Sequence, residues 1–330
     1  MKSFISGKVR REVGNPVKRK PSRTLAERMN SEVLHIVVVY NGLKWLPELL
    51  ESVRASNTGE VWAIDHGSTD GSWAWLKDNL PENNRTQGSN AGFGLGNNRG
   101  MEEAIRRQVD AVHLLNQDAR VDPEGMSKMA QWLVERSRAG HALDVASPIH
   151  WDWNGAEPYV LFDQLYARGW RAHSTPFEVP FIHAASWLMS LETVQTVGGF
   201  NPAFFMYGED NEWAHRLKKA GGRFWIHPDG ALYHDEKPKP WPHPVVLERM
   251  AFADEVIRFF DSTTPPEVWS RSVWRRSLVR AMHPDRWLDV LSGAMWEGER
   301  AARQRVQKDV VEWAARRDAL QHEQSPHLTP

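Results

Sequence analysis

The sequence predicts an α/β protein: a mostly parallel central sheet with helices on both faces, continued by a helical C-terminal region. Three observations point there. Short β-branched runs recur along the chain, stretches with helical spacing lie between them, and a proline-rich break at 237–244 separates this pattern from the C-terminal quarter. Strands that alternate with helices need crossover connections, which favour parallel pairing with helices packed on the two faces.

Residues 1–31 form the first segment. They hold nine Lys/Arg against Glu12 and Glu27, a local charge of +7 in a chain whose net charge is −1. A basic stretch without apolar periodicity reads as a flexible arm, and its lack of an apolar core gives no expectation of a secretory leader. Val33–Val39 is β-branched and too short for a helix, so it reads as a buried strand. Leu43, Leu46, Leu49, Leu50 and Val53 recur at three- and four-residue spacing, which predicts a helix over 43–55. Val61–Ile64 and Ala111–Leu115 read as further strands, and helices are expected over 71–80, 97–108 and 123–138. Asn83–Gly88 is too polar to read as a good strand, whereas Arg223–Ile226 does. Lys237-Pro238-Lys239-Pro240-Trp241-Pro242-His243-Pro244 alternates four prolines and predicts an extended linker. Beyond it Trp269, Val273, Trp274, Leu278 and Met282 share one helical face. The expected organisation is an arm over 1–31, an α/β domain over 32–236, a linker over 237–244 and a helical region over 245–330.

Composition removes several function classes. The 330 residues contain no cysteine, which excludes a disulfide scaffold, a thiolate metal site and a cysteine nucleophile. Lys+Arg 41 balances Asp+Glu 42, so no nucleic-acid partner is expected. No apolar run approaches the ~18–20 residues that span a bilayer. Seventeen tryptophans call for a role in the core, in ligand stacking or at an interface. Trp151, Trp153, Phe162, Tyr166 and Trp170 fall within 148–182, an apparent insertion whose aromatic faces suit sugar stacking as well as packing.

In open α/β sheets, ligands bind beyond the carboxyl ends of the strands. Tyr40-Asn41, Asp65–Asp70 and Asn116–Asp118 all fall at such ends. The stretch Asn90–Gly100 is rich in glycine, yet it lacks the spacing and the preceding strand of a dinucleotide fingerprint. It still suits close approach of backbone to a phosphate or nucleoside. Asp118 offers the oxygen ligand that a hard divalent cation takes, although an aspartate after a strand is also an ordinary turn residue. Glu209, Asp210 and Glu212 open a helix, where they either complement its dipole or supply a general base. His234 becomes a reasonable metal ligand beside Asp118.

The order of these motifs is more specific than any one of them. VVVYN at 37–41, IDHGSTDGS at 64–72, NAGFGLGNNRG at 90–100, LLNQDARV at 114–121, GGFNPAFFMYGEDNEWAHRLKKAG at 198–221 and HPDGALYH at 227–234 together resemble family 2 glycosyltransferases. The resemblance runs over residues 33–235 and is greatest to the rhamnosyltransferase and galactofuranosyltransferase branch. It implies the GT-A nucleotide-sugar-binding fold and inverting transfer from a nucleotide-sugar donor. On the matching positions, Tyr40 and Asn41 border the nucleoside, Asp65 bonds the base, and Asn90 and Gly92 contact the donor. Asn116 and Asp118 are the ends of a DXD-like triplet, and Asp118 and His234 hold a divalent cation, Mg²⁺ or Mn²⁺. Asp210 is the catalytic base, with Glu209 beside it. The sequence departs from the family pattern at Asn116, in place of the first acid of the triplet, at His66, where Asn is usual, and at Asn201, where Asp is usual.

The implied partners are a nucleotide-sugar donor and a glycan or lipid-linked glycan acceptor of cell-envelope polysaccharide. A cytoplasmic protein is therefore expected, with peripheral contact to anionic membrane at the inner face through the basic arm. Two other readings stay open. A sugar-phosphate nucleotidyltransferase would carry a glycine-rich basic loop where this chain has Tyr40-Asn41-Gly42-Leu43-Lys44. A non-catalytic carbohydrate-binding protein would explain the tryptophans, but not Asp118, Asp210 and His234 together.

Overall fold

The structure, a computed structural model, describes residues 32–159, 162, 169–235 and 244–261, with scattered positions beyond. The basic arm, nearly all of the proline-rich linker, Tyr166 and the amphipathic stretch at 267–282, Val268 apart, lie outside the described residues.

The first half builds a parallel sheet. Strands β1 (Val33–Val39), β2 (Gly59–Asp65), β3 (Arg85–Gln87) and β4 (Ala111–Asn116) alternate with helices α1 (Leu46–Ser56), α2 (Ser72–Asn79) and α3 (Phe93–Arg107). β1 pairs in parallel with β2 and β4, and β2 with β3. The second half adds β5 (Ala119–Val121), α4 (Pro123–Arg138), β6 (Asp144–Asp152), β7 (Phe177–Val179), β8 (Ser186–Ser190), α5 (Leu191–Val197), α6 (Glu209–Lys219), β9 (Arg223–His234) and α7 (Pro244–Asp261). The strand order is β3-β2-β1-β4-β8-β6-β9-β5, with β7 also on β9. β6 and β9 are parallel, whereas β8, β5 and β7 run antiparallel to their neighbours.

Period-two alternation along the strands sorts two apolar layers. Leu34, Ile36, Trp62, Ile64, Val112 and Leu114 face Met101 and Ala104 of α3, Val194 of α5 and Trp213 of α6. Val33, Val37, Val61, Ala63, Ala111 and Leu115 face Leu49 and Val53 of α1 and Met129 and Leu133 of α4. Gly100 lets α3 lie close on β1, because a Cβ there would stand within 2.3 Å of the Ile36 side chain. Helix starts reflect local chemistry. Asp122 caps α4 by accepting from the Gly125 N–H at 2.6 Å, and Ser190 caps α5 by accepting from the Thr193 N–H at 3.0 Å.

Several expectations need correction. Asn83–Gly88 does contain a strand, since pairing with β2 orders Arg85–Gln87 despite its polarity. The helix expected from residue 97 begins at Phe93. The strand expected over 223–226 continues to His234, because β6 pairs with it across an irregularity at Pro148/Ile149. Pro244, the last residue of the expected linker, opens α7. Among the described tryptophans, Trp187 and Trp213 are core residues, fully buried with ring centroids 5.1 Å apart, and Arg136 lies over the rings of both Trp132 and Trp225. Phe162 is likewise core, stacked on His150.

Candidate active site

The parallel strands β1 to β4 all end on one edge, and the candidate residues converge there. Asp65 closes β2, opposite Val39 of β1 and Gln87 of β3 in the register. It is fully buried. Its Oδ2 accepts from the N–H groups of Gly67 and Ser68, both at 3.1 Å, and from Gln87 Nε2 at 2.9 Å. Its Oδ1 is buried with no hydrogen-bond partner. An unsatisfied buried acceptor costs about 1–3 kcal/mol, which a ligand N–H bonded there would remove.

The turn after β1 is clasped to the loop after β2. The Asn41 N–H donates to Ser68 Oγ at 2.9 Å, and Asn41 Oδ1 accepts from the Thr69 N–H at 2.8 Å. Asn41 adopts φ 51, a left-handed conformation that asparagine tolerates better than most residues. Asp70 accepts from the Leu43 N–H and from Ser72. Burial works against its charge, but these hydrogen bonds outweigh it and hold the carboxyl below its usual range. Tyr40 is 49% exposed at the mouth of this edge. Lys44, the one basic residue of the turn, is ion-paired with Asp235 at 2.9 Å.

Asn90 Oδ1 accepts from the Gly92 N–H at 3.1 Å, and the Asn90 side chain also bonds His66. Burial lowers the His66 imidazole despite the Asp65 charge and the Asn90 bond, which both raise it. Gly92, at φ 91, presses against the next site loop: a Cβ there would lie 2.0 Å from the Phe205 carbonyl oxygen. Glycine is therefore needed at 92 for conformation and for space.

The triplet Asn116-Gln117-Asp118 links β4 to β5. The antiparallel β5–β9 ladder pairs Ala119 with His234, and the Asp235 N–H donates to the Asp118 carbonyl at 2.9 Å. This register brings Asp118 Oδ1 to 3.2 Å from His234 Nε2, with Asn116 Nδ2 3.4 Å from the same nitrogen. His234 is buried, while 28% of the Asp118 side chain stays accessible. One carboxylate and one imidazole, met by phosphate oxygens of a substrate, fit Mg²⁺ or Mn²⁺.

Asp210 lies in the first turn of α6, behind Tyr207 at φ 70 and Gly208 at φ 96. The half-buried carboxylate accepts from the N–H groups of Asn211, at 2.9 Å, and Ala184. Burial raises its pKa above the usual aspartate value and outweighs those hydrogen bonds. Glu209 is buried beside Gly94 of α3. Residues 184–185 join the two parts of the site, since the Ala185 carbonyl accepts from the Asn116 N–H at 3.0 Å.

Sequence reasoning missed the roles of Ser68 and Gln87 at Asp65 and of Thr69 and Asp70 at the turn after β1, although Ser68, Thr69 and Asp70 stand inside the motif at 64–72. It also missed Gln117, the middle of the triplet, and Ala184, whose contribution is a backbone N–H that no side-chain pattern marks.

Residues 35–198 match the family model "Glycosyl transferase family 2". The chain is 23% identical over 217 residues to the dTDP-rhamnosyl transferase RfbF of Shigella flexneri, a match covering 62% of this chain and 70% of that protein. Among solved structures, GalNAc-T7 with UDP, GalNAc and Mn²⁺ superposes with TM-score 0.53 at 14% identity, covering 86% of this chain and 57% of that one. This likeness supports the GT-A-like fold. S. aureus TarS 1–349 in complex with UDP gives TM-score 0.47 at 16% identity, over 85% of this chain and 91% of that one. The fold, the motifs at the strand ends and the matched family model agree: residues 35–198 carry the match to family 2 glycosyltransferases, and the chain resembles the rhamnosyltransferase branch.

Proposed function

We propose that the protein transfers a hexosyl or rhamnosyl-type sugar, with inversion at the anomeric carbon, from a nucleoside-diphosphate donor to a hydroxyl of a glycan or lipid-linked glycan. The observation that carries this reading is the approach of Asp118 Oδ1 to His234 Nε2 at 3.2 Å, on the sheet edge that also holds Asp65 with its unsatisfied oxygen.

In this reading the nucleoside lies along Tyr40, Asn41 and Asp65, and the Asp65 Oδ1 accepts from an N–H of the base. Asn90, Gly92 and Asn116 border the rest of the donor. Asp118 and His234 would hold the divalent cation, whose charge, when bound, offsets the negative charge gained by the departing diphosphate. Asp210 accepts the proton of the acceptor hydroxyl as that oxygen attacks the anomeric carbon from the face opposite the diphosphate. Its raised pKa suits a base, because it gives the conjugate acid a stronger hold on the proton. Glu209 supports the start of α6 from the α3 side. An acceptor carried on a membrane lipid would be reached by peripheral contact of the basic arm.

The test is transfer and donor hydrolysis with a panel of dTDP- and UDP-sugars, with Mn²⁺, with Mg²⁺ and with chelator. The anomeric configuration of the product is read by NMR. Release of nucleoside diphosphate with an inverted product is expected. Release of pyrophosphate from a nucleoside triphosphate and a sugar phosphate would indicate nucleotidyl transfer instead, and turnover of neither kind would indicate a binding protein.

A further inference from the structure

The middle residue of the triplet makes a connection that the proposed chemistry does not use. A glutamine carboxamide offers one acceptor oxygen and two N–H donors. Gln117 Oε1 accepts from the Tyr40 N–H at 2.8 Å, and Gln117 Nε2 donates to the Tyr40 carbonyl at 3.1 Å. Both backbone polar groups of Tyr40 are thus satisfied by one side chain. The parallel β1–β4 register ends at Val38 and Asn116, so the carboxamide continues the pairing just beyond the last rung.

Gly42 leaves room for this arrangement. A Cβ at residue 42 would stand 2.3 Å from Gln117 Oε1. Gly42 does not adopt a left-handed conformation, so glycine serves here by its small size. On its other side the same turn is held by Ser68, Thr69, Asp70 and Ser72. Gln117 is therefore its tie to β4, and the chain neighbours of Gln117 are Asn116 and Asp118.

From this geometry we infer that Gln117 is a positioning residue that couples cation binding at Asp118 to nucleoside binding at the Tyr40–Gly42 turn. Ordering the triplet around a cation and a diphosphate fixes the Gln117 backbone. The carboxamide then holds the Tyr40 peptide in one place, and the nucleoside meets a turn already set. Each ligand lowers the ordering cost of the other, which is positive coupling between two sites and is reciprocal. The inference rests on the reading of this edge as a nucleoside-diphosphate site.

The test is calorimetric titration of the full chain with UDP and with dTDP, each with and without Mn²⁺. Wild-type protein should bind one of them more tightly when Mn²⁺ is present. Gln117→Ala should lose about tenfold in that Mn²⁺-supported affinity, the scale on which outer-shell partners act at metal sites. It should lose little in the metal-free affinity, and its unfolding midpoint without ligand should stay at the wild-type value. Gly42→Ala displaces the carboxamide without altering it and should reproduce the loss. The double variant should be no weaker than either single one, because both remove the same link. An equal Mn²⁺ gain in wild type and Gln117→Ala, or additive losses in the double variant, would overturn the coupling and leave the nucleotide site standing. Failure of the wild type to bind either nucleotide under any condition would overturn the site reading and the coupling together.

Discussion

Three carboxylates share the first turn of α6, and their surroundings differ. Glu212 is committed to Arg216, with two contacts of 2.9 Å, and Arg216 also donates to the carbonyls of Val197 and Gly199. Glu209 is buried toward α3, whereas Asp210 is half-buried on the Ala184 N–H. Asp210→Asn should therefore lower kcat by about 10²–10⁴-fold with nucleotide affinity unchanged, as read by steady-state kinetics and calorimetry. Because burial raises the Asp210 pKa, the acidic limb of kcat/KM should lie above the ordinary aspartate value, since activity needs the deprotonated form. A limb at that ordinary value would move the base elsewhere. Asp118→Ala and His234→Ala should each remove the Mn²⁺-dependent part of nucleotide binding and leave nucleoside binding nearly intact. Insensitivity of wild-type turnover to chelator would remove the cation from the mechanism.

At the scale of elements, β1 and β4 are joined by more than their ladder. His35 Nδ1 and His113 Nδ1 lie 2.9 Å apart, His35 Nε2 reaches Thr58 Oγ1 at 2.9 Å, and His113 Nε2 reaches Ser186 Oγ at 2.8 Å. This buried chain links β1, β4 and β8 with the turn before β2. Burial pushes His35 down to about 3 and His113 well below the usual imidazole value, the latter with a contribution from His35. Both are neutral in the folded protein at neutral pH. The unfolded chain takes up protons below about pH 6.5, where the folded chain does not, so stability should fall as the pH drops through that value. Thermal unfolding measured from pH 7.5 to pH 5 should show a steadily falling midpoint. A His35→Gln, His113→Gln variant should show a flatter profile, and an identical slope would mean that other groups set the acid sensitivity.

For the whole molecule, the distribution of charge bears on where the enzyme works. Among the described residues no helix is long and apolar enough to cross a membrane. Residues 1–30 carry +7 in a chain of net charge −1. Each basic residue near an anionic surface contributes about 1 kcal/mol, and salt screens the attraction within a Debye length. Sedimentation with phosphatidylserine-containing vesicles should therefore carry the full chain down at low salt and release it at high salt. Deleting residues 1–30 should abolish the binding and leave donor hydrolysis unchanged. Equal sedimentation of both forms would point to the basic, tryptophan-bearing stretch at 267–282 instead.

The sequence by itself determined the α/β class, the strands at 33–39 and 111–115, the helix at 123–138 and the order of the site motifs. These are encoded locally: period-two and period-3.6 patterns report which face is buried, and capping residues mark where helices begin. Parallel pairing then places the ends of successive strands on one edge, so Tyr40, Asn41, Asp65 and Asn116 are legible as neighbours from the sequence. Tertiary structure alone decided the rest. β5, β7 and β8 hold three to five residues each, too few for a period to show, and β3 is polar. Their order comes from partners distant in the chain rather than from propensity. The approach of Asp118 to His234, 116 positions apart, follows from such a ladder, which pairs the neighbouring Ala119 with His234. The Ala184 N–H on Asp210 and the Gln117 clasp on Tyr40 have the same origin, since backbone groups and long-range pairings leave no periodic trace in sequence, and only the folded sheet brings them together.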